Sequence, residues 1–300
     1  MSPTITLTFY CVCIVIASFL GGWIPSVVRL THERMQLVIS FVGGLMLGVG
    51  VFHLLPHSIN ELQSVDRSVW WMMVGLLGMF FLIRTFHFHQ HDAHVEECEG
   101  EPHDHHHEAH AHVHELGWAG VAFGLGVHTL IDGLALAASV HAEADHVATA
   151  SLMGLGTFLA VVLHKPLDAI SITSLMTAGG WSSRSRNLVN FGFALMCPTG
   201  ALLFVLGVHQ MGELQHVIIG CALAFSAGVF LCISLSDLLP ELEFHTHDRL
   251  KLSTSLVLGV LLAFAIGFLE PDHIHDHHSE NHAEESTGSQ PLDQVHPHEK

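Results

Sequence analysis

Eight apolar runs dominate the chain, and each is about as long as a membrane-spanning helix. A helix needs about 20 apolar residues in succession to cross the hydrocarbon core of a bilayer. The runs cover approximately residues 5–28, 35–56, 68–88, 116–140, 147–177, 187–208, 214–239 and 252–270. Backbone groups surrounded by lipid must hydrogen-bond within the protein, so runs of this length fold as helices. The sequence therefore predicts an all-α membrane protein with eight transmembrane helices.

The composition favours the same class. Half of the 300 residues are hydrophobic and 13% are charged. Of the 29 histidines, 18 lie in two polar, acidic stretches, residues 87–114 and 273–298. No basic cluster favours binding to nucleic acid. The six cysteines include no CxxC pair, so neither a disulfide framework nor a zinc finger is expected.

These stretches divide the chain into four parts. We expect helices one to three in residues 1–88, a His-rich loop in 89–115, helices four to eight in 116–271 and an acidic, His-containing tail in 272–300. The loop lacks an apolar face and is predicted to be disordered, with many weak metal ligands. It is interpreted as a metal buffer or sensor, with a passive linker as the alternative.

The distribution of basic residues predicts the orientation in the membrane. The first charged residue is Arg29, so the first run lacks the positive start of a signal peptide and is predicted to be retained. Cytoplasmic loops carry an excess of Lys and Arg. With the N-terminus outside, the cytoplasmic side holds seven of these residues (Arg29, Arg34, Arg84, Arg184, Arg186, Arg249 and Lys251) and the outside holds two (Arg67 and Lys300). Both termini are therefore predicted outside, the His-rich loop in the cytoplasm, and the protein in the cell membrane.

Two matching motifs lie inside apolar runs: His128-x-x-x-Asp132 and His164-x-x-x-Asp168. A spacing of four puts both side chains on one face of a helix. A charged group near the bilayer centre costs roughly 2.5–3.5 kcal/mol on insertion scales, so an intramembrane Asp suggests a function. Two imidazoles and two carboxylates suit Zn²⁺, and also Fe²⁺, Mn²⁺ or Cd²⁺. The motifs predict a divalent-metal site; the alternative is two buried polar pairs that hold helices together.

The same segments resemble the ZIP (Zrt/Irt-like) family of metal transporters. HTLIDGLALAASV from His128 and HKPLDAISITSLM from His164 are similar to the family's fourth and fifth helices. GGLMLGVGVFHLLP and AGVFLCISLSDLLPE are similar to its second and seventh helices. The resemblance implies eight helices in a 3+2+3 arrangement, a transport site between helices four and five, and movement of metal toward the cytoplasm. It also implies a homodimer.

Three positions depart from the two-metal version of the family pattern. Thr129 and Lys165 follow the first ligand of each motif, where that version often has Asn and a carboxylate. A lysine at this position would repel a second metal, so one ion per site is expected, unless Lys165 extends to an interface instead. Cys197 lies where two-metal relatives have Glu before Pro. Its thiolate could assist a soft metal, although a buried Cys is usually inert.

A faint internal repeat links the second and seventh runs. Both contain Leu-Leu-Pro flanked by polar residues, His53 and His57 in one copy and Asp237 and Glu241 in the other. The two runs cross the membrane in opposite directions, which is typical of inverted repeats in transporters. These four residues are candidate relays at the two membrane faces; otherwise they are polar groups at helix ends and the match is coincidental.

The leading prediction is thus a transporter that imports divalent metal, chiefly zinc, with no resident cofactor. A metal exporter of the cation diffusion facilitator type also uses HxxxD pairs, but typically has six helices and a folded C-terminal domain. An intramembrane metallohydrolase would hold a zinc-activated water and need a general base. The chain has neither HExxH nor GxSxG, so we predict that it is not an enzyme.

Overall fold

The computed structural model of the chain describes residues 2–27, 31–91, 108–144, 153–244 and 249–268. Regular structure in these ranges is helical throughout: α1 Pro3–Val27, α2 His32–Val49, α3 Leu55–Leu62, α4 Val65–His91, α5 Glu108–Ala144, α6 Leu155–Ala178, α7 Ser183–Ala194, α8 Met196–Val208, α9 Gln215–Phe244 and α10 Arg249–Ile266. Because α3 continues α2 and α8 continues α7, eight stretches are long and apolar enough to cross a membrane. The predicted all-α class with eight spanning helices is confirmed.

The boundaries differ most around the His-rich loop. Helix α4 extends to His91 and α5 begins at Glu108, so helix covers both ends of the segment 89–115, where the sequence predicts disorder. Extending an existing helix adds one hydrogen bond per residue without a new nucleation step, which explains why polar residues join α5. Residues 92–107 of the loop and the tail from residue 269 onward lie outside the described residues. The fifth spanning helix starts at Leu155 instead of near residue 147.

The second span contains an irregular turn at one of its candidate relay residues. Five residues, Gly50–Leu54, form a π-helical turn between α2 and α3. Pro56 lies just beyond it and has no N–H to donate to the carbonyl of Phe52, which disfavours regular α-helical bonding there. Turns of this kind often occur at functional sites because they redirect side chains. Here the turn carries His53, which is buried.

Helix packing follows a simple pairing. The strongest contacts join α1 to α6, α2 to α10, α4 to α9, and α5 to α8. Numbered as spans, these are the pairs one–five, two–eight, three–seven and four–six. Exchanging one with six, two with seven, three with eight and four with five leaves this set of pairs unchanged. This exchange pairs the second span with the seventh, as the internal repeat in the sequence does. The helix pairing is therefore consistent with that repeat. The 3+2+3 arrangement and the inverted direction of its repeats stay predictions.

Paired glycines let two of these helix pairs approach closely. A Cβ atom added to Gly133 of α5 would lie 1.9 Å from the Cys197 carbonyl oxygen, and one added to Gly200 of α8 would lie 2.0 Å from the Leu130 carbonyl oxygen. Gly75 of α4 and Gly228 of α9 oppose backbone atoms of the partner helix in the same reciprocal way. Small residues at helix crossings are typical of membrane proteins, where packing replaces the hydrophobic effect as the attraction between helices.

The outer surface of the bundle is apolar. Large hydrophobic side chains such as Phe9, Trp70, Leu203 and Val257 are exposed. An apolar patch of this extent on a soluble protein would mark a binding surface. On eight spanning helices it is the surface that lipid covers.

We predict that Gly200→Ala lowers the melting temperature of the detergent-solubilised protein. The added methyl group would meet the backbone of α5, and overpacking costs about 1–3 kcal/mol. Gly207→Ala is the matched control on the same helix, because its Cβ would have no atom within 4 Å. Alanine is favoured over glycine in helices by about 1 kcal/mol, so the control should melt at the same temperature or higher. Equal melting of both variants would contradict close packing of α5 on α8.

Candidate metal centre

The two HxxxD motifs meet in the interior of the bundle. His128 and Asp132 project from α5, and His164 and Asp168 from α6, one helical turn apart in each pair. Each of the four side chains offers one ligand atom, and these four atoms lie within 4.8 Å of one another. The structure thus brings together all four residues predicted as ligands.

Asp132 is the centre of this group. Its Oδ2 atom lies 3.4 Å from His128 Nε2 and 3.2 Å from His164 Nε2. Asp168 Oδ2 lies further out, at 4.0 Å from His128 Nε2 and 3.8 Å from His164 Nε2. The two imidazole rings face each other with their centroids 5.3 Å apart. Both histidines therefore direct the same nitrogen toward both carboxylates.

A hydrogen bond to the backbone fixes the tautomer of His164. Its Nδ1 lies 2.8 Å from the Ala160 carbonyl oxygen, which can only accept, so Nδ1 carries the proton. Nε2 then presents a lone pair to the centre of the group. This is the arrangement that orients a metal-binding histidine in proteins.

Several polar atoms at the centre have no hydrogen-bond partner. These are both ring nitrogens of His128 and Oδ1 of Asp132, and both side chains are buried. Leaving a buried polar atom unpaired costs about 1–3 kcal/mol, so native proteins seldom keep one without a reason. Imidazole nitrogen and carboxylate oxygen are the donors that Zn²⁺ prefers, and four of them match its usual coordination number. Of the unpartnered atoms, His128 Nε2 is the one that faces both carboxylates, and it fits a ligand of a divalent ion.

The four candidate ligands differ in exposure. The His128, Asp132 and His164 side chains are at most 4% exposed, whereas the Asp168 side chain is 15% exposed. Asp168 is therefore the most accessible of the four.

Lys165 lies inside this group rather than beside it. Its Nζ atom is 2.5 Å from Asp132 Oδ2, 2.8 Å from Asp168 Oδ2 and 3.0 Å from His164 Nε2. The side chain is fully buried, so it does not extend to an interface. From the sequence, Lys165 is expected beside the four candidate ligands. In the structure, its ammonium lies among them.

The other accessory positions are less central. The Thr129 hydroxyl donates to the Leu125 carbonyl of its own helix at 2.7 Å. Cys197 is buried against α5, but the group of four ligands does not include it. Cys197 is one of five free cysteines in the described ranges, while Cys98 lies outside them. Ligation by Cys197 stays a prediction.

The candidate relay residues of the second span have partners of different kinds. His53 Nε2 lies 2.7 Å from the Ala263 carbonyl oxygen of α10. His57 Nε2 lies 3.7 Å from Oε1 of Glu143, whose side chain is buried near the end of α5. Asp237 and Glu241 belong to α9, but their side chains lie outside the described part of the structure.

Sequence reasoning missed Glu143. It follows Asp132 by eleven residues, which is three helical turns, and therefore lies on the same face of α5. Ser139 lies between them on that face, and its hydroxyl is 2.8 Å from that of Thr157. Asp132, Ser139 and Glu143 thus form a polar stripe along α5. The spacing of these polar residues in the sequence could have predicted it.

Comparison with known proteins gives the family. The model of the ZIP zinc transporter family matches residues 5–269. The chain belongs to the ZIP family. It is similar to zinc transporter ZIP9-A of Xenopus laevis, with 25% identity over 87% of this chain and 96% of that protein. It is also similar to zinc transporter ZIP9 of Micropogonias undulatus (26% identity, 81% and 87% of the two chains) and to zinc transporter 3 of Arabidopsis thaliana (23%, 76% and 70%).

Membership confirms the resemblance that the helix signatures suggest. A ZIP family protein is a transporter rather than an enzyme, so the metallohydrolase alternative is excluded. The family match, together with eight spanning helices, also excludes the six-helix exporter class. The chain is a multi-pass membrane protein.

We predict that His128→Ala and Asp132→Ala each weaken zinc binding by more than about tenfold. Changes to groups that only support a metal ligand already cost about 10–100-fold in affinity, and loss of a ligand costs at least as much. The measurement is calorimetric titration of the purified protein with zinc. His209→Ala, an exposed histidine at the end of α8, is the control and should bind as the unmodified protein does. Unchanged binding by both site variants would remove these residues from the ligand set.

Proposed function

We propose that this chain carries zinc across the membrane toward the cytoplasm, through the four-residue centre between the fourth and fifth spans. The observation that carries the proposal is the convergence of two imidazoles and two carboxylates on one buried point. The two negative charges would balance a divalent ion, which removes much of the electrostatic penalty for a charge inside the bilayer. The zinc transport named for the relatives supports the same substrate.

The inward direction rests on the charge distribution and on exposure. Seven basic residues against two favour external termini and a cytoplasmic His-rich loop. In that orientation α6 runs inward, so Asp168 lies one turn nearer the cytoplasm than His164. Asp168 is also the most exposed ligand, at 15%. The exposure supports a centre that opens to the cytoplasm in this conformation.

The external approach would follow the polar stripe of α5. In the same orientation Glu143 and His57 lie toward the outside, and Ser139 lies between Glu143 and the centre. A carboxylate and an imidazole 3.7 Å apart can attract and briefly hold a divalent ion. We therefore infer that His57 and Glu143 act as an external relay, with His53 nearby. Asp237 and Glu241 are proposed as the internal counterpart in the repeat.

The remaining assignments complete the proposal. Nitrogen and oxygen donors favour Zn²⁺, and Fe²⁺, Mn²⁺ or Cd²⁺ are the substrates to compare with it. We propose one ion per centre, no resident cofactor, a homodimer as the working unit and the cell membrane as its location. The His-rich loop, residues 89–115, is proposed as a cytoplasmic metal sensor.

Purified protein in liposomes that contain a zinc-sensitive dye should conduct zinc into the lumen. The Asp132→Ala variant, reconstituted at equal density, should not, because the centre then loses a ligand and one of its two negative charges. Parallel assays with Fe²⁺, Mn²⁺ and Cd²⁺ give the order of preference. Equal zinc flux in the two preparations would refute the assigned centre. If none of the four ions produced a flux, the proposed transport would be refuted.

The orientation can be tested through Cys98. It is the single cysteine in the two His-rich stretches, and the proposal puts it in the cytoplasm. A membrane-impermeant maleimide should leave Cys98 unlabelled in intact cells and label it after permeabilisation. The Cys98→Ser variant is the control, because any label it takes up has reacted with a different cysteine. Labelling of Cys98 in intact cells would reverse the orientation, and with it the assigned direction.

A further inference from the structure

The ammonium of Lys165 has its full set of hydrogen bonds within the metal centre. An ammonium has three N–H donors and no acceptor. Nζ donates to Asp132 Oδ2 at 2.5 Å, to Asp168 Oδ2 at 2.8 Å and to His164 Nε2 at 3.0 Å. Three of the four metal ligands are thus the partners of one lysine.

The three acceptor atoms are those that a metal ion would use. The Nδ1 proton of His164 is donated to Ala160, so Nε2 holds the only free lone pair of that ring. Asp132 Oδ2 and Asp168 Oδ2 are the carboxylate oxygens nearest to the two imidazoles. Zinc binds such atoms at about 2.0–2.2 Å, which would put it within bonding distance of the atoms that Nζ now contacts. A divalent ion and the ammonium cannot share this space, because like charges at such a distance repel strongly.

We propose that Lys165 is a tethered exchange cation: it occupies the centre when no metal is bound, withdraws when metal binds, and displaces the metal on its return. This inference deepens the proposed function and rests on it for the identity of the ligands. It offsets one of the two negative charges of the empty centre inside an apolar bundle. It also lowers the affinity for metal, which a transporter needs in order to release its substrate.

A position for the withdrawn ammonium is adjacent. The ring of Phe193 in α7 is buried, and its centroid lies 5.8 Å from Nζ. The face of an aromatic ring attracts a cation within about 6 Å. The lysine stem is long and flexible, so Nζ could move closer to this ring without a change in the backbone.

A purely structural lysine would behave differently. If Lys165 serves only to neutralise the carboxylates, Nζ stays bonded to Asp132 and Asp168 while zinc is bound. If Lys165 competes with the metal, Nζ leaves those atoms when zinc binds, and removing Lys165 frees three ligand atoms and raises the affinity for zinc. A zinc affinity that does not rise without the lysine excludes competition, and the position of Nζ in the zinc-loaded protein separates the two roles.

The variant that tests competition is Lys165→Met, which keeps an unbranched apolar stem and removes the charge. Zinc titration of the purified full chain should give a dissociation constant lower by about tenfold or more, the scale on which neighbours of metal ligands alter affinity. Zinc flux into liposomes should saturate at lower zinc concentration and reach a lower maximal rate, because release slows. Lys251→Met is the control: Lys251 is exposed and its Nζ lies 2.7 Å from Glu33 Oε1. The Lys251→Met variant should change neither the dissociation constant for zinc nor the zinc flux.

Phe193→Leu tests the withdrawn position. It should weaken zinc binding in the background that retains Lys165 and have no effect in the Lys165→Met background, since the ring then has no cation to receive. Weaker binding to the same extent in both backgrounds would overturn the role of the ring.

A second measurement locates Nζ when zinc is bound, and it also covers the case in which Lys165→Met fails to fold. In a structure of the zinc-loaded, unmodified protein, anomalous scattering should locate the ion among the four ligands, with Nζ withdrawn from Asp132 Oδ2. Zinc among the ligands with Nζ still bonded to Asp132 and Asp168 would overturn the inference. So would zinc affinity that depends on His128 but is unchanged or lower in Lys165→Met. Zinc affinity that is the same in the unmodified protein and in His128→Ala would instead overturn the proposed function, and the exchange role with it.

Discussion

The fold depends on partly compensating two carboxylates that it buries in an apolar bundle. Asp132 is fully buried and Asp168 largely so, and a single ammonium contacts both. Removing one partner of a buried ion pair typically costs about 3–5 kcal/mol, since the other charge is left without compensation. The charges lie on two different helices, α5 and α6, and so the pair also fixes how these helices face each other.

Close helix packing provides the frame for that centre. Gly133 and Gly200 bring the backbones of α5 and α8 together one residue beyond Asp132. Small residues replace side-chain contacts with backbone contacts and leave little freedom for α5 to rotate. Two interactions thus hold the polar groups of the centre in place. One is the attraction between charged side chains, and the other is close packing of helix backbones at glycine residues.

A charged centre suited to binding is not by itself suited to transport. A site with two carboxylates and two imidazoles would hold zinc tightly, and tight binding slows release. In the exchange role proposed for Lys165, the ammonium within the same set of candidate ligands opposes that affinity without adding a second site. Asp168, the most exposed of the four residues, lies on one side of the centre along α6. The polar stripe from Asp132 to Glu143 extends along α5 in the opposite direction. Binding, balance of charge and access are therefore concentrated on two helices.

The sequence by itself determined the class of fold and the four candidate ligands. Eight apolar runs suffice for the first because lipid leaves the helix as the only structure that such runs can adopt. His128, Asp132, His164 and Asp168 were predictable because the helical period is local, and a spacing of four fixes which side chains share a face. Only the tertiary structure decided that Lys165 lies among the ligands, that Glu143 meets His57 and that Gly133 opposes Gly200. The spacing of three between Lys165 and Asp168 hinted at the first of these, but a long flexible side chain has many rotamers. Which one it adopts depends on charges and backbone supplied by other helices, and no local periodicity encodes them.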